Sequence, residues 1–404
     1  MRAQGLSLSR RRLQQPGRTC APAGRRPAMD DAQRLLGQGL MGMLSTIATL
    51  LGRGSEDALS VPAMDGVFKP NTLLDSAVRV LELPQIDNLA ATREGLYCSS
   101  GETLFAIDPA SRRAELVRQF KGEITMVAAS PSGRLAVGVQ GSGLEMLDKH
   151  GWRHIDLPAD CARCVTAGLF GNDDTLYLAI GSRRHAASDW KRDLMSHGAS
   201  GAILRYRIST GESALTAEGM AFPYGIALLA DGGLAVSESW RHRIATPGAG
   251  ARSRADILIG DLPAYPARLA PASDGGFWLA LFAPRRQLTE FVLSEDDYRR
   301  EMMATIPSEA WIGPDFADNG GDEQPLQAGS VRQMGIMKPW APSRSYGMVV
   351  RLDSRMKPLA SLHSRADGRM HGIASVAEFR GVLYAASRGG GTLLGIATGM
   401  ETAP

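Results

Sequence analysis

Cysteine is scarce: Cys20, Cys98, Cys161 and Cys164 are the whole complement of a 404-residue chain. Four cysteines cannot staple a chain of that length, so a hydrophobic core must hold the fold and the thiols are expected to be reduced. Cys161-Ala-Arg-Cys164 has metal or redox spacing, yet no second pair completes a closed zinc site and no βαβ pattern surrounds it. Acidic residues are missing from residues 1–28, which carry seven arginines, whereas the remainder holds 38 basic and 42 acidic residues. The basic balance is therefore a tail property, and without a Lys/Arg excess on the folded part a dedicated nucleic-acid surface is not expected.

No secretory signal is expected, because the basic run lies far from the first apolar stretch. Residues 1–28 read as a disordered basic tail, an organelle-type transit peptide, or sequence upstream of a start at Met29. Residues 35–52 are uncharged but rich in Gly, Ser and Thr, while Leu36, Leu40, Met43, Leu44, Ile47 and Leu51 keep helical spacing. That pattern suits a docked or interfacial amphipathic helix better than a span. The expected location is cytoplasmic, with membrane anchoring or association through residues 35–51 as the alternative. Residues 29–72 read as this helical extension and a linker.

From residue 77 onward sustained helical period is lacking, and short apolar runs alternate with Gly or Asp turns, the signature of strands. One pattern recurs: a polar or ring residue, an apolar run with Ala, a turn, then a pair such as Leu-Tyr. It begins at Asp87-Asn-Leu-Ala, Thr125-Met-Val-Ala, Thr166-Ala-Gly-Leu, Tyr224-Gly-Ile-Ala, Ala267-Arg-Leu-Ala and His371-Gly-Ile-Ala. Six units spaced near the blade length of about 40 residues predict an all-β fold, a six-bladed β-propeller over residues 73–400. A two-domain β protein is the alternative. Residues 77–83 are placed to close the ring as the outer strand of the sixth blade. The third unit carries a loop at 183–200. The fifth carries an insertion at 285–345, in which Ser294 and Asp297 have the spacing of a capping box opening a short helix through Met303.

Ser188-Asp-Trp-Lys-Arg-Asp-Leu-Met, Phe222-Pro-Tyr-Gly-Ile-Ala-Leu, Gly260-Asp-Leu-Pro-Ala-Tyr-Pro and Gly372-Ile-Ala-Ser-Val-Ala-Glu, in register with the repeat, resemble the strictosidine synthase-like family. That family belongs with gluconolactonase, regucalcin and the paraoxonases among six-bladed propellers. The resemblance implies the fold and, in metal-dependent relatives, a calcium ion at the channel mouth, held by an acid of the first blade and by Asn and Asp opening later ones. Asp87 matches the first ligand, but Tyr224 stands for the Asn, and Ala267-Arg268 stands for an Asp-Asn pair. Calcium needs six to eight oxygens, several anionic, so no metal or other cofactor is expected here. The proton-transferring glutamate of the plant synthase aligns with Ala374, which removes the ground for its condensing reaction.

The residues opening the inner strands are expected to ring one end of the channel. Catalytic candidates are His371 as general base, Asp87 or Glu238 orienting it, and Arg268 stabilising an oxyanion. Strict alternation from Ala267 would instead turn Arg268 away from the axis. Substrate-binding candidates are Tyr224, Thr125, Thr166 and Glu238. The plainer reading is that these groups pair with one another, and that Glu238 and Glu378 bond backbone or the nearby Arg241 and Arg243. Trp311 and Trp340, beside prolines in the insertion, are candidates for an apolar lid. Asp315, Asp318, Asp322 and Glu323 lack calcium-loop spacing and read as a solvated loop. Two functions remain open: a hydrolase acting on a lactone or ester, or a non-catalytic propeller that binds a small molecule. Both take a small-molecule partner.

Overall fold

The computed structural model describes residues 61–248, 255–317, 344–366 and 368–398, with backbone alone for the short pair Arg332–Gln333 and Ile336–Met337. The basic tail, residues 35–51, Cys20, Trp340, Asp318, Asp322 and Glu323 lie outside the described residues. Six four-stranded antiparallel sheets follow one another along the chain. Blade 1 starts with Ile86–Ala91, blade 2 with Ile124–Ala129, blade 3 with Val165–Asn172, blade 4 with Pro223–Leu228, blade 5 with Ala264–Pro271 and blade 6 with Ile373–Phe379. Each of these first strands contacts the first strand of the next blade all the way round, so six strands surround one axis. Val78–Glu82 pairs antiparallel with Thr392–Ala397 and makes the outermost strand of blade 6, joining the start of the ring to its end.

Residue type follows position in the ring. First strands are flanked by blades on both faces, and they read as continuous apolar runs: Ile86–Ala91 and Pro223–Leu228 are buried at five of six residues. The fourth strand of blade 1, Arg113–Gln119, faces water and has no fully buried residue. Blades pack through clusters such as Met126, Leu144, Leu178 and Leu204, all essentially inaccessible, between blades 2 and 3. Near the axis the sheets approach too closely for side chains. A Cβ at Gly225 would collide with the Ala267 carbonyl and come within 2.8 Å of the Arg268 Cα.

All six first strands are interrupted at the axis by a β-bulge or register shift. The shifts fall between Asp87 and Ala90, Ile124 and Met126, Val165 and Ala167, Pro223 and Gly225, Pro266 and Leu269, and Ile373 and Ser375. A bulged residue drops out of the ladder, which frees its carbonyl and re-aims its side chain. These bulges build the site.

The insertion in blade 5 lies between Phe277–Pro284 and Met348–Leu352. It holds two helices, Gln287–Ser294 and Asp296–Thr305. The expected capping box does not form. Ser294 ends the first helix with its hydroxyl donating to the Phe291 carbonyl (2.7 Å), and Glu295 begins the second with no side-chain cap. Among the described residues no helix is long and apolar enough to cross a membrane.

Candidate functional site

Arg268 leaves the bulge of blade 5 and points into the axis, because the extra residue between Pro266 and Leu269 breaks the alternation that would have turned it away. Arg268 is buried, and its guanidinium reaches four other blades with N–H donors. Nη1 donates to Asp87 Oδ1 of blade 1 (2.7 Å) and to the Ala374 carbonyl of blade 6 (3.3 Å). Nη2 donates to the Thr125 carbonyl of blade 2 (2.9 Å), and Nε to the Thr166 carbonyl of blade 3 (3.0 Å). Blade 4 supplies the Tyr224 ring, 5.0 Å from the guanidinium carbon. Thr125, Thr166 and Ala374 are the bulged residues of their strands, so the three carbonyls that bind Arg268 are those the ladder leaves free. Four bonds engage four of the five guanidinium donors and leave one N–H on Nη2.

Above this floor is a cavity of about 180 Å³, lined by Arg268, Asp87, Thr125, Thr166 and Tyr224 together with Glu123, Arg388 and a set of aromatic rings. Arg388 bonds Glu123 Oε1 (2.9 Å) and lies 3.4 Å from Asp87 Oδ2. Two cations thus face two carboxylates. Asp87 Oδ1 also accepts from the Asn88 N–H (2.7 Å), whereas among the described residues Oδ2 has only the long contact to Arg388. The Tyr224 hydroxyl has no hydrogen-bond partner among the described residues. Burial and the nearby Asp87 push its pKa up to about 12, so it is a neutral donor at ordinary pH.

The walls are Trp190, Phe222, Tyr224, Trp240 and Phe282, and Phe316 lies across them. Trp240 stacks on Phe222 (4.4 Å), while Phe316 meets Trp190 (5.2 Å) and Phe282 (5.0 Å). The blade 3 loop that carries Trp190 is anchored by Asp193, a buried carboxylate. Its Oδ1 accepts from Ser182 (2.7 Å) and His185 Nδ1–H (2.9 Å), and its Oδ2 accepts from Trp240 Nε1–H (2.9 Å). Phe316 is placed by its neighbour Asp315, which pairs with Lys191 (2.7 Å) next to Trp190. Phe316, from the insertion, therefore lines the cavity where Trp311 was expected, while Trp340 lies outside the described residues. Trp311 is buried in the core, donating to the Ile306 carbonyl (2.8 Å), and borders a second, outer cavity of about 220 Å³.

Of the residues singled out by sequence, Asp87, Arg268, Thr125, Thr166 and Tyr224 converge on the cavity. Thr166 offers its carbonyl; its hydroxyl donates its single proton to the Pro223 carbonyl (2.6 Å), with the Ala179 carbonyl also within 3.1 Å. His371 and Glu238 stand outside the lining. Ala374-Ser-Val-Ala, not His371-Gly-Ile-Ala, is the structural counterpart of Thr125-Met-Val-Ala, since the bulge of blade 6 falls at Ala374. His371 lies three residues upstream. Its Nε2–H donates to the Arg365 carbonyl (2.8 Å), and Nδ1 faces the Ser345 hydroxyl (2.8 Å). Glu238 pairs with Arg241 (2.7 Å) and Arg243 and accepts from the Ala221 N–H. Glu378 accepts from Trp278 Nε1–H (2.8 Å), joining blades 5 and 6. Cys161 and Cys164 are buried thiols, pushed up to about 11 and about 12 by burial.

Arg388 and Glu123 were not singled out. Second strands run antiparallel to first strands, so the residue after a second strand returns to the same end of the channel. Arg388 follows Val382–Ser387 in this way. The acid–arginine pairing across the mouth was therefore accessible from topology but not from strand openings alone.

The fold and site define a six-bladed propeller with a small axial cavity. Residues 169–245 match the family model "Strictosidine synthase". A 113-residue stretch is 30% identical to the adipocyte plasma membrane-associated protein of Danio rerio, covering 27% of this chain and 27% of that protein. Regucalcin of Agrobacterium tumefaciens, described as a calcium-binding protein, superposes with a TM-score of 0.50 at 11% identity over 80% of this chain and 95% of that one. A gluconolactonase of Xanthomonas campestris superposes with a TM-score of 0.50 at 12% identity over 80% and 90%. These likenesses show the six-bladed propeller fold, and residues 169–245 are similar to the strictosidine synthase family.

Proposed function

We propose that the axial cavity binds a small, uncharged molecule with a flat ring and a carbonyl-type acceptor, and that binding is the protein's activity. The observation that carries this reading is the balance of groups in the cavity. Two arginines meet two carboxylates, so a charged ligand gains little, while the Tyr224 hydroxyl and one Arg268 N–H remain as donors for an acceptor atom. Aromatic walls suit a ring, and about 180 Å³ compares with the roughly 150 Å³ that houses benzene in an engineered cavity.

Hydrolysis of a lactone or ester is the second reading, and one observation favours it. Among the described residues Asp87 Oδ2 has only the 3.4 Å contact to Arg388, which leaves it able to accept a proton from water while Tyr224 donates to the carbonyl oxygen. In this reading the base is Asp87, since His371 lies outside the lining.

Incubation of the full chain with a panel of lactones and aryl esters, in calcium and in chelator, separates the readings when binding is followed by thermal shift and product by chromatography. Saturable binding without product supports the first, and chelator-resistant product supports the second. A flat thermal-shift profile with no product overturns both.

A further inference from the structure

The axis is a site built for a cation out of oxygen atoms. One carboxylate (Asp87) and three ladder-free carbonyls (Thr125, Thr166, Ala374) converge from four blades, and hard oxygens of this kind are calcium-type donors. What lies among them is a guanidinium, carried on the blade 5 bulge that Ala267 and Arg268 form between Pro266 and Leu269. A divalent ion does not fit these residues as they stand: the fixed positive charge repels it, and every one of the four oxygens is already an acceptor for Arg268. Among the described residues, no three His, Cys, Asp or Glu side chains converge elsewhere.

We propose that Arg268 is the resident axial cation of this propeller. The guanidinium does structurally what an axial ion would do, gathering the blades around one positive charge, so closure of the ring is independent of divalent metal. Planarity makes the substitution workable, since a guanidinium donates in several fixed in-plane directions at once where an ammonium cannot. The corollary is that truncating the side chain exposes a vacant oxygen site with a net negative charge. Small cations then become its natural occupants. This inference does not depend on what the cavity binds.

The test is melting temperature in chelator against millimolar calcium, with terbium luminescence sensitised by Tyr224 and Trp190, on the full chain and on Arg268→Ala and Arg268→Lys. The unmodified protein is expected to melt at the same temperature in both buffers and to give no sensitised signal. Arg268→Ala is expected to melt about 5–10 °C lower in chelator. Calcium should restore several degrees of that loss with a terbium signal, and the additional change Asp87→Asn should abolish both effects. Arg268→Lys keeps the charge and the stem, and should melt below the unmodified protein without a calcium response. Calcium-dependent melting of the unmodified protein that disappears in Asp87→Asn would overturn the proposal. So would Arg268→Ala melting like the unmodified protein in chelator, or melting lower with no response to calcium or terbium. If Arg268→Ala does not accumulate, the unmodified protein and Arg268→Lys still decide: a calcium response in either contradicts it.

Discussion

Asp87 and Arg268 are 181 residues apart in sequence and 2.7 Å apart at the axis, Oδ1 to Nη1, both within the buried interior. Neither partner is tolerable alone there. Asp87→Ala removes the carboxylate that, among the described residues, pairs with the guanidinium and leaves a buried, uncompensated charge, which typically costs about 3–5 kcal/mol. Urea denaturation should show that loss, whereas Asp156→Ala on the surface should lie within about 0.5 kcal/mol of the parent.

Asp193 fixes the blade 3 loop through Ser182, His185 and Trp240. Replacing it with Ala leaves three donors without their acceptor, so residues 183–200 should become cleavable by trypsin under native conditions. Cleavage at Arg183, Arg184, Lys191 or Arg192, mapped by mass spectrometry, checks this; resistance equal to the parent would count against the anchoring role.

Buried His363 is held neutral, its pKa pushed down to about 4 by burial, with Nε2–H donating to Ser361 (2.7 Å) and Nδ1 accepting from Tyr346 (3.1 Å). Between about pH 4 and the unfolded value near 6.5, the unfolded chain binds a proton that the native chain does not. Stability therefore falls as pH drops through that window, by roughly 3 kcal/mol at most from this group. His363→Gln should flatten the dependence of urea midpoints between pH 7 and 4, although its midpoint at pH 7 will be lower.

Cys98, Cys161 and Cys164 are buried, with thiol pKa values pushed up to about 12, 11 and 12 by burial. Thiolate is the reactive form, so native protein at pH 8 should leave these three unlabelled by a disulfide reagent over minutes. Unfolding in urea should expose all of them at once.

Much of this architecture was legible because a blade's first strand is covered on both faces, so its apolar run stands out six times over. Val78–Glu82 was legible as the closing strand for a topological reason: a ring needs a partner for its last sheet. Asp87, Thr125, Thr166 and Tyr224 could be placed at the axis because each opens such a run. Arg268 could not be oriented, since alternation argues outward and only the bulge turns it in. His371 was misplaced by three residues because His371-Gly-Ile-Ala imitates Tyr224-Gly-Ile-Ala, while the axial position falls on Ala374, which carries no chemistry of its own beyond a carbonyl. Trp190 and Phe316 reach the cavity from a loop and an insertion, and contacts of that range leave no local pattern in a sequence.

Isothermal titration of the unmodified chain with a matched pair of lactones tests the binding account most directly. One ligand is a benzo-fused six-membered lactone, the other a polyhydroxylated sugar lactone of similar size. The account expects the benzo-fused compound to saturate one site per chain and to bind at least about tenfold more tightly, with the affinity falling several-fold in Tyr224→Phe as one neutral hydrogen bond is lost. Tighter binding of the sugar lactone, or an affinity for the benzo-fused compound unchanged by both Tyr224→Phe and Phe316→Ala, would contradict it.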